Sequence, residues 1–201
     1  AGKVRLKDGS IGSVTIGGTV SPAGGNFDEP VTQATLKVVG AFHGLSRERS
    51  DARKYPAINP TESWSKYSGI IAMDRVEEAR SILKRSIEIS QMMKVVGEEG
   101  TTAEDYITYQ KGELLDAVYL QQNSFDPIDA ADSPERQRVE FDLLYDALMQ
   151  QYDLEDKDEI RSFFNQLRQE FLDWHGTEFN SDAFEAQKNK IADFYKSKAI
   201  A

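Results

Sequence analysis

Few residues in this chain have the type and spacing that bond-making chemistry needs. There is no G-x-x-x-x-G-K-[ST] loop to cradle phosphates, no G-x-G-x-x-G turn and no H-E-x-x-H zinc pair. His43 and His175 are far apart and stand in neither a metal nor a triad spacing. His175, just before Gly176, reads as a favourable charge at the negative pole of a helix. Cysteine is absent, which excludes disulfides and thiolate metal ligands. The acidic run Asp153–Glu159 lacks the glycine of a calcium loop and reads as a solvated helix start.

Recognition chemistry is better represented. The run Lys54–Tyr67, K-Y-P-A-I-N-P-T-E-S-W-S-K-Y, holds Tyr55, Trp64 and Tyr67, whose faces can pack or stack. Pro56 and Pro60 fix their own φ and push the preceding residues away from helix, so the run reads as an ordered joint. An interdomain elbow with buried aromatics and a stacking site both fit it. Phe125 is a lone aromatic in the polar loop Gln121–Asp132, with no periodic core pattern to explain it. Gly97–Asp105, G-E-E-G-T-T-A-E-D, places Glu98, Glu99, Glu104 and Asp105 on one short connection. Glu104 and Asp105 suit the start of the next helix, whereas Glu98 and Glu99 have no local purpose in the pattern.

The elements that must carry these residues change character along the chain. Asp8-Gly9 signals a turn, and Ser13–Val20 is a β-branched run that reads as a strand. The loop S-P-A-G-G-N-F-D-E-P leads to a helix that starts at Asp28 or Glu29 with Pro30 and runs to about Val39. Val38–Leu45 reads as a second buried strand and Ser46–Lys54 as a short charged helix. After the joint the pattern is helical. Asp74 caps a helix through Val96, and Thr101/Thr102 open one to about Leu120. Ser133-Pro134 starts a third, and Lys157–His175 has the strongest apolar stripe: Ile160, Phe163, Phe164, Leu167, Phe171 and Trp174. Ser181 caps a fifth, with Phe184, Ile191, Phe194 and Tyr195 inward. Short connections between such helices predict an antiparallel bundle.

At 201 residues the chain can bury a real core, as one large domain or two small ones. Its 39% hydrophobic and 29% charged residues suit a globular protein, with no membrane-length apolar run and no signal peptide at its first residues. A net charge of −10 argues against general affinity for nucleic acid or anionic lipid. A cytoplasmic location is the default expectation. From local pattern alone the chain is a helical interaction module with no self-contained active site.

Four blocks in register add a family resemblance. Ser13–Thr32 (S-V-T-I-G-G-T-V-S-P-A-G-G-N-F-D-E-P-V-T) and Tyr55–Asn59 (Y-P-A-I-N, followed by S-W-S-K-Y) resemble the catalytic A subunit of V-type and archaeal-type rotary ATPases. Met93–Gly97 (M-K-V-V-G) and Leu120–Asp129 (L-Q-Q-N-S-F-D-P-I-D) follow in the family's order. The likeness is strong from Ser13 to about Gln137 and weak beyond. His43 stands where many members carry Trp, and Pro60 where many carry an aromatic. With a short segment between Trp64 and Met93, these departures point to a bacterial or archaeal-type member.

The resemblance implies a mainly α fold: a C-terminal antiparallel helical bundle, residues 68–201, preceded by the truncated end of a RecA-like α/β nucleotide-binding domain plus joint, residues 1–67. It implies a C-terminal fragment of a longer subunit, inactive alone, because the phosphate loop, catalytic glutamate and magnesium-binding acid lie upstream. Tyr55 and Phe125 are then expected to flank the adenine of ATP or ADP. Asn26, Phe27, Asp28 and Glu29, together with Glu98 and Glu99, are expected to face a central rotor stalk. No catalytic or metal residue is expected in this stretch, and no tightly bound cofactor, with Mg belonging to the parent subunit. Expected partners are non-catalytic B subunits in an alternating hexameric ring and the rotor, with no nucleic acid, and with the membrane reached only through the complex. Ion pumping or ATP synthesis by the whole assembly is the implied function. The alternatives are a non-catalytic helical interaction module and the complex's nucleotide-holding, non-catalytic paralogue.

Overall fold

A computed structural model describes residues 3–67 and 69–200. Packing divides the chain into two units that meet in sequence between Phe42 and His43. Residues 43–67 therefore pack with the helices, so the expected boundary at 67/68 divides the sequence at a different place from the packing. Ser68 itself lies outside the described residues.

The first unit begins with an antiparallel hairpin, β1 (Lys3–Arg5) against β2 (Ile11–Ser13), with Lys3 opposite Ser13 and Arg5 opposite Ile11. Its turn is the expected Asp8-Gly9: Gly9 has φ 86, and Asp8 Oδ1 accepts from the Ser10 N–H at 3.0 Å and its hydroxyl at 2.7 Å. The strand expected over Ser13–Val20 does not form beyond Ser13. Val14 and Ile16 stay exposed, because a β-branched run gains its ladder only from a neighbouring strand, and beyond Ser13 none pairs with it among the described residues of this unit. Gly24 and Gly25, at φ 63 and 74, form the tight turn before helix α1 (Pro30–Val38). That helix continues through the start of the second expected strand, leaving only β3 (Ala41–Phe42).

The second unit is helical. After the short α2 (Arg47–Asp51) and β4 (Trp64–Ser65) come α3 (Met73–Val96), α4 (Ala103–Leu115), α5 (Pro134–Met149), α6 (Lys157–His175) and α7 (Asp182–Lys196). Side-chain oxygens of Ser46, Thr102, Ser133, Asp156 and Ser181 accept N–H groups of the first turn of α2, α4, α5, α6 and α7 respectively. Asp74 does not cap α3. The helix starts earlier, with Ala72 at the N-cap position, and Asp74 sits in the first turn near the positive end of the helix.

Sequential helices reverse direction. α6 and α7 are tied from Trp174 Nε1 to the Phe184 carbonyl (2.9 Å), through Lys190–Glu170 (2.6 Å), to Lys198–Glu159 (2.8 Å), the order of an antiparallel pair. α3 and α5 instead run in the same direction, with Arg138 donating to the Ile70 carbonyl, Arg75 to Asp142 and Tyr145 to Glu78. α3 and α4 approach closely at Gly112, where a Cβ would lie 2.2 Å from the Ser86 side chain. The core joins Ala79, Tyr106, Leu114, Leu144, Leu148 and Tyr195 to all the apolar residues expected on α6.

Candidate functional site

The joint folds back on the segment just before it. Ser46 N donates to the Ala57 carbonyl at 2.8 Å, Asn59 N to the Gly44 carbonyl at 2.7 Å, and Leu45 bridges Ile58. The Tyr55–Pro56 bond is cis. Backbone groups that the prolines leave without a regular ladder are thus met by a neighbouring strand-like segment.

What holds the joint to the helices is Asp116. α4 passes there into a π-helical turn, Asp116–Leu120, with Asp116 buried at its start. Asp116 accepts from Arg49 at 2.6 Å and from Lys54 at 2.6 Å, and Glu113 lies 3.5 Å from Lys54. Burial by itself would lower the Lys54 pKa, but the Asp116 bond and the charges of Glu113 and Asp116 outweigh it, so the net shift is upward. Lys54 is therefore a fixed cation next to Tyr55.

A second connection runs from the joint to the loop carrying Phe125. Gln122 N donates to the Tyr55 carbonyl at 3.1 Å. Asp129, 8% exposed, accepts the Asn123 N–H at 2.5 Å, and Asn123 Oδ1 accepts the Phe125 N–H at 3.1 Å. Asp126 Oδ1 takes the Ile128 N–H at 2.9 Å. The loop is polar in sequence yet internally bonded.

Two openings adjoin this region. Tyr55, Pro56, Gln122, Ser124 and Ala130 line a cavity of about 350 Å³. A neighbouring cavity of about 330 Å³ is lined by Pro56, Ile58 and Pro60 on one side and by Asp129, Asp132, Glu140 and His175 on the other. Arg136 lies buried among the acids. It donates to Glu140 at 2.7 Å and to the carbonyls of His175 (2.7 Å) and Thr177 (3.0 Å). Asp132 Oδ1 is 3.0 Å from Arg136 Nε but makes no hydrogen bond. Burial and the nearby Asp132 charge push Glu140 up to about 7 against the pull of Arg136. Burial pushes His175 down. This overturns the expected role of His175 as a charge at the end of α6; Arg136 supplies that charge by donating to the terminal carbonyls.

The structure treats the candidate residues unequally. Tyr55 lines the cavity of about 350 Å³, while Phe125 is 94% exposed, on the same loop as Ser124 but outside the lining. Asn26 is exposed and its side chain accepts the Asp28 N–H at 2.9 Å. Phe27 packs edge-on to Phe42 at 5.6 Å, and Glu29 precedes α1 with its carboxylate accepting from the Thr32 hydroxyl at 3.3 Å. Glu98, with no partner in the adjacent sequence, finds distant ones: its carboxylate pairs with Arg161, and Lys157 donates to its carbonyl at 2.6 Å. Glu99 remains exposed, engaged through its carbonyl alone.

Asp116, Asp129, Arg136 and Glu140 carry this region, and the sequence reading assigned none of them. A signal existed for Arg136 and Glu140, which are four apart on a helix with Asp132 a further turn back. None existed for Asp116, whose partners lie 62 and 67 residues away. Among the described residues no group of three or more His, Asp or Glu is arranged to hold a metal. No described helix is long and apolar enough to cross a membrane.

Comparison with known proteins places these elements in a larger frame. Residues 1–65 match the nucleotide-binding domain of the ATP synthase alpha/beta family, and residues 73–164 the C-terminal domain of V and A type ATP synthase. Two similar relatives are V-type ATP synthase alpha chains. That of Borrelia turicatae is 60% identical over 100% of this chain and 35% of its own length; that of Treponema denticola is 60% identical over 99% and 34%. The chain thus spans about a third of the curated relatives it matches. The likeness extends well past Gln137, where the motif resemblance faded. Among solved structures, an ATP synthase subunit, NeqB, from Nanoarcheaum equitans aligns with TM-score 0.51 at 18% identity, covering 62% of this chain and 32% of that one. That last likeness concerns the fold.

Proposed function

Because the chain belongs to the family of V-type ATP synthase alpha chains, we propose that it supplies the adenine grip and the rotor-facing helical domain of a catalytic rotary-ATPase subunit. The observation that carries the grip is the bond from Gln122 N to the Tyr55 carbonyl, which ties the joint to the loop of Phe125. Two aromatics on segments held together can close on a purine from opposite sides. Stacking contributes about 1–3 kcal/mol per base and tolerates any base with a π face. Phosphate, magnesium and water would be positioned by other parts of the full-length subunit, since phosphoryl transfer depends on such positioning and these residues do none of it. ATP hydrolysis or synthesis, and coupling to ion movement, belong to that subunit within its complex.

The same proposal assigns partners. Non-catalytic B subunits alternate with this subunit in a ring on the cytoplasmic side of the membrane, and a central stalk turns inside it. Asn26–Glu29 and the turn at Glu98-Glu99 face that stalk. The division at 67/68 separates nucleotide-binding from helical domain, and Lys54–Tyr67 acts as the hinge. Since Glu98 is already paired to Arg161, Glu99 is the freer contact and the bulk of the α3–α4 turn does most of the pushing. In the full-length subunit, Phe125→Ala should raise the ATP dissociation constant about tenfold, from loss of about 1.4 kcal/mol of stacking. Its 94% exposed side chain leaves folding intact. Unchanged ATP affinity in a calorimetric titration would remove the adenine role.

A further inference from the structure

Resting on that adenine reading, we propose that the buried carboxylates Asp129 and Asp116 are positioning residues that set where Phe125 and Tyr55 stand. Neither touches the base. Asp129 acts through a chain of bonds: its carboxylate takes the Asn123 N–H at 2.5 Å, and the Asn123 side chain takes the Phe125 N–H at 3.1 Å. Phe125 is 94% exposed, so little side-chain packing holds it and its backbone largely determines where the ring stands. Asp116 does the same for the other ring. Its bonds to Arg49 and Lys54, both 2.6 Å, fix the residue before Tyr55, and its own carbonyl accepts from Gln121 at 3.3 Å. Gln121 and Gln122 therefore meet both ends of the arrangement, one at Asp116 and the other at Tyr55.

The placement explains why both groups are buried acids. A carboxylate accepting an N–H in a site shielded from water makes a stronger and more directional bond than a neutral acceptor. An exposed loop of polar residues would otherwise sample many conformations, and ordering it on binding would weaken the ligand's apparent affinity. Holding the loop beforehand raises affinity and sharpens selectivity for a large planar base. Substitutions at Asp129 should thus act on nucleotide affinity and base preference, leaving turnover at saturation alone.

The test uses the full-length subunit in its assembled complex, with ATP and CTP as ligands. Asp129→Ala should raise the ATP dissociation constant about tenfold and reduce the preference for ATP over CTP, with kcat at saturating ATP within about twofold of the parent. Asp129→Asn, which keeps an acceptor oxygen, should restore affinity to within about threefold of the parent. Combined with Phe125→Ala, Asp129→Ala should add little, because both remove the same ring placement. Should Asp129→Ala fail to fold, Asn123→Ala on the exposed loop breaks the same chain and should weaken ATP in the same direction. Parent-like ATP affinity in Asp129→Ala, or in Asn123→Ala where that substitutes for it, overturns the proposal, as does a fall in kcat and melting temperature that Asn does not rescue. If Phe125→Ala weakens ATP and these variants do not, only the positioning role fails. If Phe125→Ala is itself without effect, the adenine reading fails and the proposal with it.

Discussion

The two units of this chain solve burial in opposite ways. In the helical unit, apolar stripes on successive helices meet one another, and Trp174, Leu167, Ile160 and Leu148 are almost wholly removed from water. In the first unit β-branched residues make up a larger share of the sequence, yet most of the described ones stay exposed. Ile16 is 85% exposed and Val38 83%. Helix hydrogen bonds close within the segment, so a helix needs its neighbours only for packing, whereas a strand needs a neighbour even for its backbone bonds. The helical unit therefore completes its own bonds and packing, whereas the run after Ser13 in the first unit stays without a ladder.

The strongest test of that contrast is to cut into both units of the 201-residue chain. Trp174→Ala should destabilise the helical unit by about 3–5 kcal/mol, because its indole N–H bond to Phe184 and its packing go together. Ile16→Ala should change stability by less than about 0.5 kcal/mol. Comparable losses in urea unfolding would show that the first unit has a core of its own and would break the comparison.

Within the second unit, Asp116→Ala should cost about 3 kcal/mol, since it leaves Arg49 and much of Lys54 buried without their shared acid. The loss should appear as a lowered urea midpoint. Arg49 Nε and Nη2 already lack hydrogen-bond partners, so no alternative acceptor stands ready. A neutral outcome would mean that the joint is held by its backbone bonds alone.

A pH titration separates the acid cluster from the rest. Glu140 binds its proton more tightly in the folded chain, with its pKa raised from 4.5 to about 7. Its contribution is fully present below pH 4.5 and is lost as the pH rises through 7, on the order of 3 kcal/mol in all. His175 works the other way: burial lowers its pKa, so it favours the folded state above its ordinary value near 6.5 and loses that contribution as the pH falls. Glu140→Gln keeps an acceptor for Arg136 and should remove the fall in stability between pH 5 and 7 relative to the parent chain. Parallel curves for the two proteins would mean that Arg136 holds Glu140 ionised throughout.

The smallest effect is expected at the turn after α3. Glu98→Ala with Glu99→Ala should cost well under about 1 kcal/mol, because the Arg161 pair is exposed and screened and the Lys157 bonds go to backbone carbonyls that alanine retains. Thermal unfolding within a few degrees of the parent is the expected reading. A large loss would make this turn a structural clamp and shift the rotor assignment to other residues.

What the sequence determined by itself was whatever closes over three or four residues. The caps at Thr102, Ser133 and Ser181 and the whole apolar face of α6 were legible because donor, acceptor and stripe lie within adjacent turns. The family blocks were legible for the same reason, as short runs in fixed order. Only the tertiary structure decided that Ser13–Val20 would stay unpaired, that Arg136 rather than His175 would serve the end of α6, and that Glu98 would find Arg161 at a separation of 63 residues. It also decided that the joint belongs by packing to the helices, through Asp116. Each of these depends on which distant group comes to lie opposite, and on how far burial strengthens or penalises a charge there. Local periodicity carries no information about either.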